Sequence, residues 1–270
     1  MTDVVSQLLV KEKWMIVSGA GVSADSGVPT YRDKNGLWQR RPPVTHQDFM
    51  NDPGARQRFW SRNMVGWRFM VEAKPNASHH TLVKLEKVGL ISCLVTQNVD
   101  GLHQLAGSRY VIDLHGRINT VSCTSCFAVV SRADLQYWLE LNNSHYANLV
   151  GTILPDGDAG IDDIDFSSIN VPVCQKCGGI LKPDVVFFGD SIPKQRVANV
   201  SAELLLADGL LILGSSLMTY SGYRICLQAA KIGKPIVIVN QGITRADDIA
   251  RVKSEESCEV VLKRWLEKAL

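Results

Sequence analysis

Residues 14–24 read WMIVSGAGVSA, an apolar run that stops abruptly at a glycine turn. The run lacks polar alternation, which predicts a strand buried on both faces of a parallel sheet. Gly19-Ala20-Gly21-Val22-Ser23-Ala24 matches G-x-G-x-x-G/A between that strand and a predicted helix. Such a turn lets backbone approach a pyrophosphate, with helix N-terminal amides facing the anion. A plain tight strand-to-helix turn accounts for the same residues equally well. Similar apolar runs follow at 91–96, 110–114, 185–188, 209–213 and 235–239. Helical patterns lie between them. Pro53 follows Asp52, with Trp60, Met64, Trp67 and Val71 at i, i+4, i+7, i+11 spacing; Asn76 caps a segment through Leu82 and Leu85 to about Val88. Further helices are expected over 195–206, after Ser221 and from Glu259. Strands alternating with helices predict an α/β fold, a doubly wound, mostly parallel, Rossmann-like sheet.

Two regions break the alternation. Residues 29–45 are loop-like, with three prolines and a glycine, and 117–182 hold paired cysteines, a helix near 133–141 and an acidic loop-rich stretch from 142 to 173. The expected organisation is a nucleotide-binding domain of 1–40, 75–116 and 183–270. A smaller inserted module, 41–74 and 117–182, joins a helical insertion to a zinc-binding unit.

The balance of 29 Lys plus Arg against 27 Asp plus Glu removes the case for a phosphate-driven nucleic-acid binder. No apolar run approaches the roughly 18 residues of a membrane span. The N-terminal stretch has neither a secretory nor a transit-peptide pattern, so a cytoplasmic address is the expectation.

Of seven cysteines, four form Cys123-x-x-Cys126 and Cys174-x-x-Cys177. Two such knuckles supply the four ligands of tetrahedral zinc, and a closed four-sulfur set leaves no position for water or substrate. The metal is therefore expected to be structural. Cys93, Cys226 and Cys258 read as core or helix cysteines. An EF-hand over 156–167 fails, because position six is Ile161 and position twelve Ser167.

A dehydrogenase needs a second strand ending in an acid about 20 residues beyond the turn. Here residues 39–44 read QRRPPV, with neither strand nor acid, which excludes hydride transfer. Gly214-Ser215-Ser216 and Asn240-Gln241-Gly242 both end apolar strands, where ligands of open α/β sheets sit. Gln97, Asn98 and Asp100 follow another strand, and His115 stands at the end of a third, before Gly116. His115 is a candidate general base. His103 competes for that role or caps a short helix, whereas His46, His79, His80 and His145 show no partner pattern.

Taken in order, these motifs resemble the sirtuins, NAD-dependent protein lysine deacylases. The matching pieces are GAGVSADSGVPTYR (19–32), TQNVDGLH (96–103), LHG (114–116), both CxxC pairs, KPDVVFFGD (182–190), GSSL (214–217) and VNQG (239–242). RQRFWSRNMVGW (56–67) and LPDGD (154–158) are most similar to the class II branch. The resemblance implies NAD as co-substrate, bound by Gly19, Ala20, Gly21, Ser23 and Arg32, under a loop from 27 to 38 that carries Tyr31 and Trp38. Gln97, Asn98, Val99 and Asp100 would line the nicotinamide and ribose pocket. Gly214, Ser215, Ser216, Asn240, Gln241 and Gly242 would hold phosphate and ribose, with Cys258 at the adenine end. His115 would be the base, acting with Gln97, Asn98 and Asp100, and acyl-lysine peptides would add as a strand beside Phe188, Gly189 and the stretch after Leu217. The implied chemistry displaces nicotinamide with the acyl oxygen, and His115 then deprotonates a ribose hydroxyl so that it attacks the acyl carbon.

Three positions depart from the family pattern. Val99 replaces Ile, Tyr31 replaces Phe, and the segment 218–222 lacks a Pro. The Y-x-x-R of desuccinylating members aligns with Trp60 to Asn63, and Asn63 offers no bidentate cation. Succinyl-lysine is thus a disfavoured substrate, with Arg56, Arg58 and Arg62 nearby. Protein ADP-ribosylation from the same pocket, or NAD sensing without turnover, are the alternative functions. Protein or peptide partners are expected, without nucleic acid or membrane, and the chain is expected to be a monomer.

Overall fold

The computed structural model describes residues 2–10, 12–39, 42–161 and 164–270. In chain order the elements begin α1 (Thr2–Leu9), β1 (Trp14–Ser18), α2 (Ala20–Ser23), α3 (His46–Asn51), α4 (Pro53–Glu72) and α5 (Ala77–Lys87). Then come β2 (Ile91–Thr96), α6 (Leu102–Ala106), β3 (Val111–Asp113), β4 (Gly116–Cys123), β5 (Val129–Ser131) and α7 (Arg132–Asn142). The chain continues through β6 (Thr152–Ile153), β7 (Ala159–Gly160), β8 (Leu181–Val185), α8 (Lys194–Leu206) and β9 (Gly209–Leu213). It ends with α9 (Tyr220–Lys231), β10 (Ile236–Val239), β11 (Val252–Ser254) and α10 (Cys258–Ala269).

Six strands form one sheet in the order β11-β10-β9-β1-β2-β3, with every pair parallel. Alternate side chains of β1 enter opposite cores. Trp14 and Ile16 pack with Leu82, Leu211 and Trp265, while Met15 and Val17 pack with Leu210, Ile212 and Ile225. Both faces are apolar, which is why the strand lacked polar alternation. From β1 the chain winds outward through β2 and β3, then returns to β9 on the other side of β1. The direction of winding therefore reverses between β1 and β9, and a crevice opens beyond their carboxyl ends.

The apolar run 185–188 is not a strand of this sheet. β8 ends at Val185 and pairs antiparallel with β4, which also pairs with β5. Lys182 and Asp184 alternate with three buried residues there, so only one face is covered. This second sheet shares a core with α3, α4 and α7, centred on Phe49, Trp60, Met64, Val121 and Leu139. β4, β5, β11 and α1 were not read from the sequence, being short or without a dominant period.

The stretch 142–173 is more ordered than its composition predicts. β6 and β7 make a small hairpin, and a Cβ on Gly66 of α4 would lie 2.4 Å from the Asp158 carbonyl oxygen. Arg62 binds Asp158 through Nε at 2.8 Å and Nη2 at 3.0 Å, fastening the hairpin to α4. The expected domain boundary at 40/41 lies outside the described residues. Among the described residues no helix is long and apolar enough to cross a membrane.

Candidate functional site

The glycine turn after β1 packs on the turn after β9. Gly19 N–H donates to Leu213 O at 2.9 Å, and Gly21 N–H donates to Gly214 O at 2.8 Å. A Cβ on Gly21 would stand 2.8 Å from the Gly214 Cα, so both turns must be glycine for the two strand ends to meet. This backbone-to-backbone approach explains the glycines before any ligand is considered. The helix expected after the turn is a single turn, α2, followed by a 3-10 turn.

A cavity of about 1250 Å³ lies over these turns. It is lined by the first turn (Gly19, Ala20, Gly21), the loop residues Tyr31, Arg32 and Trp38, and the end of β2 (Gln97, Asn98, Val99). His115, the β9 end (Gly214, Ser215, Ser216), Asn240, Gln241 and Cys258 complete the expected set. Three expected residues do not line it. Ser23 lies behind the turn, where it donates to Asp100 Oδ2 at 2.7 Å and receives Asn98 Nδ2 at 3.0 Å. Asp100 instead borders a small side pocket with Ala20, Val99, Met70 and Pro155. Gly242, at φ +115°, abuts the backbone of Lys34, and Ile243 N–H donates to Lys34 O at 2.8 Å, clipping the cofactor-type loop to the sheet. Thr219, from the stretch after Leu217 expected beside the peptide, lines the cavity, as do Arg224 and Glu256, which were not read from the sequence. Arg224 follows the GSSL turn closely, and that proximity was the available signal.

Arg32 stacks 4.0 Å over the Trp38 ring and donates to Gly36 O at 2.7 Å. Tyr31, Trp38 and Phe188 meet edge to face, joining this loop to the segment after β8. Gln97 is held at both ends of its amide, Oε1 accepting from Ser215 Oγ at 2.5 Å and Nε2 donating to Thr219 Oγ1 at 3.2 Å. Asn98 Nδ2 also donates to Gly19 O at 3.1 Å. These contacts lock the end of β2 to the ends of β1 and β9. Burial raises the Asp100 carboxyl above its ordinary range, opposed by the Leu102 N–H and the Ser23 hydroxyl.

His115 is the one histidine lining the cavity among the described residues. Its Nδ1 lies 2.9 Å from the Gln97 carbonyl oxygen, which only accepts, so Nδ1 carries the proton and Nε2 the lone pair. Burial holds the imidazole down to about 4, with the Gln97 carbonyl opposing and Arg196 reinforcing. It is therefore neutral near pH 7, the state a base requires. The following Gly116, at φ +81°, has no room for a Cβ beneath the Asp184 carbonyl. His103 is not an alternative catalyst. It is buried outside the cavity, with Nε2 2.9 Å from Ser18 Oγ.

His79 has a partner pattern that the sequence reading missed. It closes a capping box with Asn76 at the start of α5, and its ring lies 4.8 Å from that of His103. Burial holds His79 down to about 4 and His103 to about 3. Both values lie below the ordinary one, so the unfolded chain binds protons that the native state refuses. The stabilisation is complete above about pH 6.5 and is lost as pH falls toward 4. The unfolding free energy from urea titrations should therefore fall between about pH 7 and 5, by roughly 1–2 kcal/mol per histidine. The His79→Gln/His103→Gln variant should show a flatter slope; an equal slope would remove these histidines as the cause.

The four cysteine sulfurs lie within 4.8 Å of one another, with Cys123–Cys177 at 3.5 Å and Cys126–Cys174 at 3.6 Å. Four sulfurs about 2.3 Å from one zinc ion would be about 3.8 Å apart, so the set fits a tetrahedral centre. Ser125 and Cys126 N–H groups point at the Cys123 sulfur, as a thiolate ligand requires. None of the four cysteines lines the cavity.

A doubly wound parallel sheet, a large crevice at its switch point and an adjoining tetrathiolate module define an α/β nucleotide-binding protein with a structural metal centre. Residues 19–221 match the model of the Sir2 family, and the chain belongs to that family. It is 49% identical over 251 residues to an NAD-dependent protein deacetylase of Xanthomonas campestris pv. campestris, covering 93% of this chain and 86% of that protein. It is 50% identical over 251 residues to one from Bordetella bronchiseptica, covering 93% and 92%. Among solved structures it is similar to a Sir2–p53 peptide–NAD+ complex, with a TM-score of 0.77, 30% identity and coverage of 99% and 98%. The Sir2Tm structure bound to a propionylated peptide gives the same TM-score and identity.

Proposed function

We propose that this chain is an NAD-dependent protein lysine deacylase that releases nicotinamide and O-acyl-ADP-ribose. The observation that carries the reading is His115: neutral, half-buried at the cavity wall, its Nδ1 pinned so that its lone pair is on Nε2. NAD supplies the nicotinamide–ribose bond that is exchanged for a bond to the acyl oxygen. The chain's own groups suit the rest of that task. The glycine turns and Ser216 face the phosphate region, and Asn240 and Gln241 the adenosine half. Gln97 and Asn98 are rigidly placed and would face the ribose, beside the small pocket bordered by Val99 and Asp100. Arg32, on the covering loop and lining the cavity, would supply a cation to the pyrophosphate. Phe188 and Gly189 border the cavity where a peptide strand would add.

Uncharged acyl groups are the preferred substrates in this reading. Asn63 is buried and receives Arg132 Nη2 at 2.8 Å, so the Y-x-x-R position faces the module core. Arg56 is spent on the Phe49 and Met50 carbonyls and Arg62 on Asp158.

The test is nicotinamide release with a panel of acetyl, fatty, lipoyl, biotinyl and succinyl lysine peptides. Release should need both NAD and an acyl peptide and be weakest with succinyl. No turnover with any peptide would overturn the proposal. Label from the ADP-ribose half staying on protein would favour ADP-ribosyl transfer instead.

A further inference from the structure

The second nitrogen of His115 is occupied by a residue that the mechanism above does not use. Ser221 Oγ lies 2.8 Å from Nε2. Since the Gln97 carbonyl fixes the proton on Nδ1, the Ser221 hydroxyl donates to the Nε2 lone pair. Ser221 sits in the first turn of α9 and lines the cavity. Its hydroxyl makes no capping bond; the helix begins at Thr219 without a side-chain cap. Gly222 lets the turn lie against Gln97, where a Cβ would have no room, and Gln97 Nε2 donates to Thr219 Oγ1 at 3.2 Å. The same Gln97 thus anchors both His115, through its carbonyl, and the turn bearing Ser221. Ser221 also falls in the 218–222 segment that lacks the family's Pro, a residue with no hydroxyl.

We propose that Ser221 is a catalytic proton relay through which His115 reaches the substrate hydroxyl. This rests on the deacylase reading, with His115 as the base. Ser221 takes the proton of the substrate ribose hydroxyl as it hands its own to Nε2. The O–H bond of the substrate breaks, its electron pair stays on the oxygen that attacks the acyl carbon, Ser221 ends neutral, and His115 ends as imidazolium. A hydroxyl suits this role because it donates and accepts at once. The charged group acting on the ring is Arg196 from α8, itself beside Asp113 and Asp184; Arg224 on α9 lines the same cavity. None is placed by a direct bond to Nε2.

The experiment separates the two halves of the reaction. Exchange of labelled nicotinamide into NAD, in the presence of acyl peptide, reports the first half, which needs no base. Deacylated peptide reports the second. Ser221→Ala should keep exchange within about threefold and lose deacylation by tenfold or more, the low end of general-base effects. Ser221→Thr, which keeps the hydroxyl, should recover most of the loss. In 15N-histidine-labelled protein, the Nε2 resonance should move in Ser221→Ala as its donor is removed. Deacylation unchanged in Ser221→Ala would overturn the relay, as would an equal fall in both halves. Wild-type protein that exchanges no nicotinamide with any acyl peptide would instead sink the deacylase reading and the relay with it.

Discussion

His115→Ala should lower deacylation by 10²- to 10⁴-fold, the usual span for a lost general base, while leaving nicotinamide exchange and zinc content largely intact. The argument is geometric before it is electrostatic. His115 follows β3 directly, and its backbone is tied on both sides: Leu114 N–H donates to Thr96 O, and Val186 N–H donates to His115 O, both at 2.8 Å. The imidazole therefore stands where the large sheet meets the small one, independent of its own side-chain bonds. Removing the ring should not unfold either sheet, because neither apolar core includes it. NAD affinity measured by calorimetry should change little, since the Gln97 and Asn98 side chains keep their partners on the β1 and β9 turns. Deacylation within a few fold of wild type would show that another group takes the proton.

Cys123→Ser should abolish stoichiometric zinc and unfold the small sheet while the large sheet persists. Zinc binding to structural thiolate sites contributes on the order of 10 kcal/mol, comparable to the whole stability of a typical domain. Cys123 is fully buried and belongs to the core that contains Trp60 and Leu139. Beyond the β4–β8 ladder, which pairs Cys123 with Leu181, the first knuckle is tied to the segment after the second by Thr124 N–H to Ile180 O at 2.9 Å. Trp60, Trp67 and Trp138 pack in or against this core, whereas Trp14 and Trp265 are in the large sheet's core. Tryptophan emission should thus shift red on chelation while most helical circular dichroism remains. Deacylation should fall as well, because β8 leads into Phe187 and Phe188 at the cavity. A variant that keeps one zinc and wild-type emission would show that the four sulfurs are not its ligands.

Apart from its edge strand β11, the large sheet was legible, because burial of its central strands on both faces leaves unbroken apolar runs that end in glycine or polar turns. The small sheet was not. β4 carries Arg117, Asn119 and Thr120 among its apolar residues, and β8 was misread through its apolar tail, Val186 to Phe188. Half-buried strands of irregular register carry a weak period, and β4 pairs with β8 across about 60 residues of sequence. The site divides in the same way. Motif order exposed sixteen cavity-lining residues, among them His115, Gln97 and Cys258. Of the other expected residues, Ser23 and Gly242 pack against the turns and the loop, and Asp100 accepts from Ser23 and borders the side pocket.

The sequence alone determined the class of fold, the four zinc thiolates and the chemistry gathered at the strand ends. These follow from local pattern and from residue type. Only the tertiary structure decided that Gly21 exists for Gly214, that Asn63 faces a buried arginine, and that a hydroxyl closes over the lone pair of His115. Each of those depends on which distant segments are brought within a few ångströms of each other, and no spacing along the chain records that.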